Sequence, residues 1–173
     1  IQVDCAVISR FHEHKSARWG LAHRVQQTRV VGERECVKNL GTESPSRGRY
    51  LKRWFSAVPS SVDRRADELL DFVGLHSKRL LKAGSLSFGQ QKLLEFAMAL
   101  MNEPQLLLLD EPTAGINPTL INGVVDRLKR ANKEMGITLL VIEHNMRVIM
   151  NLATHMTCLA HGEVLASGTP DEV

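Results

Sequence analysis

Residues Leu106–Pro118 read LLLLDEPTAGINP, and this stretch decides the fold. Its short continuous apolar run is what a parallel strand buried on both faces requires. The acids Asp110 and Glu111 close that run, and open parallel sheets place their ligand crevice at such a strand end. The turn-rich loop from Glu111 to Pro118 then keeps the acids exposed. Asn117 followed by Pro118 makes a cap and first-turn pair for a helix through Glu134, which Gly136 closes. Next, Ile137–Ile142 predicts a second buried strand, tipped by Glu143 and His144 at the same edge of the sheet. Asn145–Ala153 predicts a helix, and Met156–Ala160 and Glu163–Ala166 predict strands joined by a tight turn at His161-Gly162. Strand–helix–strand alternation of this kind implies an α/β layer with a parallel sheet.

Upstream, SLSFGQQKLLEFAMAL at Ser85–Leu100 reads as a helix whose first turn faces something negative. Ser87 can cap it and Gly89 lets a partner come close. Leu93, Leu94, Phe96, Ala97, Leu100 and Met101 form one broad face, and Pro104 stops the helix. Before it, Asp63 can cap a helix in which Ala66, Leu69, Leu70 and Val73 keep i, i+3, i+4, i+7 spacing, with Gly74 as a left-handed stop. Gly41–Arg49 is an exposed loop by its glycine, proline and serine content. Residues 1–50 are otherwise rich in Arg, His and Ser and predict little regular structure.

The bulk numbers describe an ordinary globular chain. Its 173 residues, 43% hydrophobic and 24% charged, suffice for one medium domain or most of a larger one. The formal charge of +3 is too small to argue for nucleic acid by itself. Apolar runs are strand-sized, short of a membrane span, and residues 1–20 hold no secretory pattern. Cys5, Cys36 and Cys158 are odd in number and scattered, which fits a reducing compartment and gives no disulfide or zinc framework. The chain begins at Ile1 and stops at Thr169–Val173, where another helix would start, so a fragment is expected.

The chemistry sits at the strand ends. Asp110 would hold a magnesium ion through water, because magnesium prefers oxygen ligands and keeps part of its hydration shell. Glu111 could orient and deprotonate an attacking water. Each has a bland counterpart, since strands often end in solvated acids. His144 could donate a hydrogen bond to a terminal phosphate oxygen, although a histidine at a strand end alone is usually only solvated. The helix start at Ser87 and Gly89 offers free backbone N–H groups to a phosphate, although capped amphipathic helices are common.

Taken in order, LSFGQQK, LLLLDEP and LLVIEH resemble the signature motif, the Walker B strand and the switch histidine of ATP-binding-cassette (ABC) ATPases. The resemblance runs from about Asp63 to Val173. Aromatic residues at Phe88, the AGINP loop with Asn117, and the closing HGEVLASGTPDEV are similar to the branched-chain amino acid uptake group. The resemblance implies a partial ABC-ATPase (RecA-like) α/β core with a parallel sheet, plus an α-helical subdomain. It places a remnant of the N-terminal core in 1–40, the helical subdomain and signature motif in 41–101, and the rest of the core in 102–173.

Cassettes of this family work as head-to-tail pairs, each ATP held between the phosphate loop of one subunit and the signature helix of the other. The resemblance therefore assigns Ser87, Phe88, Gly89 and Gln90 to the partner subunit's ATP. Asp110, Glu111 and His144 serve the nucleotide on this chain's own side, and Ala114–Asn117 passes between the two sites. In LAHRVQQ, Gln26 best matches the family's magnesium-linking glutamine, with Gln27 next and VKNL at Val37–Leu40 following at a suitable distance. The implied cofactors are ATP and Mg2+. The implied partners are a second ATPase subunit, membrane permease subunits met by the segment around Tyr50–Gly84, and indirectly a substrate-binding protein. Such a subunit would sit on the cytoplasmic face of the membrane and energise uptake of branched-chain or other hydrophobic amino acids, urea or short amides.

The chain departs from the family in one large respect. No glycine is followed by lysine, so the phosphate-cradling GxxxxGK(S/T) loop is missing. Two expectations compete: a truncated or frameshifted product of an ATPase gene, or a degenerate non-catalytic cassette that only completes a partner's ATP site. A cassette acting on nucleic acid or ribosomes would call for two cassettes and basic linkers, and neither is seen.

Overall fold

Apolar periodicity and end signals account for the elements from residue 60 onward. The computed structural model describes residues 2–3, 6–7, 21–23, 30–41 and 60–173, the first three segments as backbone only. Gln26, Gln27, Cys5, the expected loop beyond Gly41, and residues 50–59 of the segment expected to meet a permease lie outside the described residues. Three parallel strands form the main sheet in the order β3 (Leu21–His23), β4 (Leu106–Asp110), β5 (Thr138–Ile142). Two-residue strands β1 (Gln2–Val3) and β2 (Ala6–Val7) pair antiparallel. The hairpin β6 (Met156–Ala160) and β7 (Glu163–Gly168) turns at His161 and Gly162, whose φ angles of 51° and 83° suit a tight hairpin turn.

The helices are α1 (Cys36–Gly41), α2 (Ser60–Phe72), α3 (Phe88–Leu100), α4 (Pro118–Met135) and α5 (Met146–Leu152). Ser87 caps α3 in a complete capping box: its hydroxyl accepts from the Gln90 amide, and the Gln90 side chain accepts from the Ser87 amide. Such caps stabilise a helix by about 1 kcal/mol. Asn117 caps α4, Pro118 opens its first turn, and Gly136 ends it in the left-handed conformation. The i, i+3, i+4, i+7 set of α2 is fully buried, with Ala66, Leu69, Leu70 and Val73 facing Leu94, Ala97 and Leu100 of α3 in one core.

Helix α1 had no sequence expectation. It packs on α2, and the segment before it hydrogen-bonds to the segment before α3, as in Cys36 N to Leu81 O and Gly84 N to Gly32 O. Two arginines of α4 fasten the end of α2. Arg127 donates to the Val73 and Gly123 carbonyls, and Arg130 lies 4.8 Å over the Phe72 ring. The helical part is thereby held on the helix that follows the acidic loop.

Two expectations need correction. Helix α2 starts at Ser60, so Asp63 stands inside its first turn, where a negative charge favours the helix dipole, and does not cap it. Residues Thr169–Val173 form a single turn in which the Glu172 carboxylate accepts from the Thr169 amide and hydroxyl, a contact also made at helix N-termini. Strand β5 is not buried on both faces: Leu140 is 56% and Ile142 63% exposed, while Leu139 and Val141 on the other face are half-buried against the core. Leu107 and Leu109 of β4 carry the buried face. No helix among the described residues is long and apolar enough to cross a membrane.

Cys36 is fully buried, donates its thiol to the Leu81 carbonyl, and has its pKa pushed up by burial. Cys158 is exposed on β6. Thiolate is the reactive form. Iodoacetamide at neutral pH is therefore expected to label Cys158 and leave Cys36 unmodified until denaturant is added, as peptide mass mapping would read. Equal labelling of the two in the folded protein would contradict this packing.

Candidate functional site

Parallel register brings the acidic strand ends together. Asp110 of β4 stands opposite Ile142 of β5, so Glu111 and Glu143 leave the sheet side by side. The Glu111 amide donates to the Ile142 carbonyl at 2.9 Å, extending the ladder one step past the strand. Glu111 then takes a φ of 46°, a left-handed conformation that costs a non-glycine residue about 1–3 kcal/mol. The turn brings its carboxylate to His144, with 3.1 Å between Oε1 and Nδ1. A carboxylate only accepts, so Nδ1 carries the shared proton and Nε2 is left for a second partner. The Glu111 side chain is 31% and that of His144 76% exposed.

Glu143 does something the sequence did not announce. Its Oε1 accepts from both the amide and the hydroxyl of Thr113, and its Oε2 accepts from the Asn145 amide at 3.4 Å. One carboxylate thus ties the start of the Glu111–Pro118 loop to the turn that carries His144. Thr113 is buried and had no assignment; no local signal distinguishes it, because its partner lies 30 residues further along the chain.

Ser87, Gly89 and Gln90 form a second group at the start of α3. Ser87 is exposed, and its hydroxyl accepts from the Gln90 amide at 3.4 Å while keeping its own proton to donate. The acceptor Oε1 of Gln90 is occupied by the Ser87 amide at 3.1 Å. The loop that starts at Glu111 packs on this group: Ile116 and Leu120 lie over Gly89, and the Phe88 ring lies on Gly115. Asn117 is exposed, and its Oδ1 accepts from the Thr119 amide and hydroxyl.

Asp110 is half-buried at the strand end. Among the described residues no group of three or more His, Cys, Asp or Glu could cage a metal ion. The donor set suits an ion that takes most of its ligands from water and phosphate, as magnesium does, and one or two carboxylates are then enough. Gln26 falls outside the described residues, so its place relative to Asp110 is open.

The family model described as "ABC transporter" matches residues 1–114. Similarity thus begins at the first residue, well before the Asp63 boundary that motif reading reached, because the N-terminal segment has drifted from any short pattern. The chain is 33% identical to the high-affinity branched-chain amino acid transport ATP-binding protein BraF of Pseudomonas aeruginosa, over 100% of the chain and 71% of that protein. It is 31% identical to the probable branched-chain amino acid transport ATP-binding protein LivG of Methanocaldococcus jannaschii, over 89% of the chain and 62% of that protein. A solved ATP-binding cassette of an ABC transporter in its ADP conformation superposes with a TM-score of 0.75 at 29% identity, covering 91% of this chain and 64% of that one. The chain thus spans about two thirds of the length of the proteins it matches.

Proposed function

This chain belongs to the ABC transporter family, and from that premise we propose that it is an ATP-binding, ATP-hydrolysing subunit that energises an importer. The observation that carries the reading is the Glu111–His144 pair beside Asp110 at one sheet edge. A bound magnesium ion would offset the charge of the phosphates, and Asp110 is the residue to hold it through water. Glu111 accepts a proton from the attacking water. His144 keeps the Glu111 carboxylate in place through Nδ1 and reaches the terminal phosphate through Nε2. Phosphoryl transfer asks a protein mainly for positioning and charge stabilisation, which these groups supply.

Ser87, Gly89 and Gln90 are assigned to a nucleotide held mainly by a second ATPase subunit. The packing of the Glu111–Pro118 loop on their helix start, with its other contact at Glu143, supports that division. Residues 41–101 are taken as the helical subdomain, 102–173 as core, and 1–40 as part of the N-terminal core, to which Gln26 would contribute a magnesium contact. The names of the two relatives support branched-chain amino acids as the cargo, delivered by a substrate-binding protein to membrane permease subunits. The subunit would then work at the cytoplasmic face of the membrane.

Complementation tests this. The 173-residue chain is mixed with a loop-bearing branched-chain-type ATPase subunit whose own signature serine has been replaced, leaving its homodimer silent. Phosphate release is expected from the mixture and not from either component alone, and Ser87→Arg in this chain is expected to abolish it. Turnover by the chain alone, or a silent mixture, would overturn the reading. The alternative, a non-catalytic cassette that only completes the partner's site, predicts the same result in this mixture but no turnover when a phosphate loop is grafted onto this chain and Glu111 is the sole general base left.

A further inference from the structure

The Phe88 side chain is 48% exposed, yet its ring is not turned wholly to solvent. It lies so close on Gly115 that a Cβ added there would stand 2.9 Å from Phe88 Cε1 and 3.6 Å from both Cδ1 and Cζ. Gly115 has a φ of 72°, so the loop needs glycine there for its backbone as well as for the ring. Lys92, one helical turn further along α3, sets its ammonium 5.5 Å from the centre of the same ring. Next to this contact, Ile116 and Leu120 cover Gly89. At its other end the loop is held by Thr113 on Glu143, the residue before His144.

We propose that Phe88 is a positioning residue: its ring clamps Gly115 and so fixes the Glu111–Pro118 loop against the start of α3. The chain Glu143–Thr113–Gly115–Phe88 then joins the His144 turn to the Ser87 helix start within one subunit. If, as proposed above, those two ends serve different nucleotides, a shift of the His144 turn at one site moves the signature serine at the other. A small residue at position 88 would leave the loop start tied to Glu143 but its middle unclamped. Tyrosine would keep the ring on the glycine.

Amide hydrogen exchange on the 173-residue chain decides the clamp without reference to ATP. The Ala114 and Ile116 amides donate to the Glu111 and Thr113 carbonyls inside the loop and report its opening. Phe88→Ala is expected to speed their exchange about tenfold while the body of α3 stays protected, and Phe88→Tyr to restore the slow rate. Unchanged exchange in Phe88→Ala, or no rescue by tyrosine, would overturn the clamp. In the complemented mixture, Phe88→Ala is expected to lower kcat about tenfold with KM unchanged, since the Ser87 and Gly89 groups remain; a rise in KM alone would instead make Phe88 a nucleotide contact. A wild-type mixture without turnover would refute the proposed function and leave the exchange result to decide the clamp.

Discussion

Glu111→Gln is expected to lower phosphate release at the site this chain supplies by about 10²–10⁴-fold, the range a positioned general base provides. The measurement uses this chain with a phosphate loop grafted from a loop-bearing relative, paired with a subunit whose corresponding glutamate is glutamine, so that Glu111 is the only such carboxylate left. Glutamine keeps the shape and can still accept from His144 Nδ1, so the pair geometry survives and only basicity is lost. Glu111→Gly separates the chemistry from the backbone. At a φ of 46° glycine relieves strain of about 1–3 kcal/mol, so this variant is expected to melt no lower than Glu111→Gln while being equally inactive. Retained turnover in either variant would remove Glu111 from the chemistry.

Asn39→Leu is expected to destabilise the fold by about 2–3 kcal/mol, enough to lower Tm by about 5–10 °C in a chain of this size. Asn39 is fully buried, and its side chain replaces a missing turn of secondary structure. Oδ1 accepts from the Val31 amide at 2.8 Å, and Nδ2 is shared among the Val31, Arg34 and Glu35 carbonyls at 3.1–3.3 Å. Leucine fills the same volume but leaves those backbone groups without their partner. Asn39→Asp is expected to be at least as damaging, because it removes the two donors and turns a negative charge on three carbonyl oxygens. A thermal shift below about 2 °C for Asn39→Leu, followed by circular dichroism, would show that water takes over the bonds at no cost. The turn matters to the site because Gly32 and Arg34 hydrogen-bond to Gly84 and Ala83, three or four residues before Ser87.

Most elements after residue 60 were legible because their signals are local. The burial period of α2, the Ser87 cap, the Asn117-Pro118 start and the Gly136 stop of α4 each lie within a few residues, and all appear as read. The hairpin at His161-Gly162 is the same kind of signal. Helix α1 was not legible, since six residues hold less than two turns of periodicity and its support comes from Leu81 and Arg79 more than forty residues away. The apolar run of β5 was over-read: a row of Leu, Val and Ile records that a strand forms, not whether a layer covers each face.

The amino-acid order by itself determined the strand–helix alternation, the acids at the β4 end, the histidine at the β5 end and the capped glycine-serine helix start. Those are properties of neighbours along the chain, set by side-chain size, caps and period. Tertiary structure alone decided the left-handed turn at Glu111, its approach to His144, the Thr113–Glu143 tie and the seating of Phe88 on Gly115. The last three join residues from 27 to 33 positions apart, and their meeting depends on the parallel register of β4 and β5 and on how α3 lies over the loop, which no short window of sequence encodes.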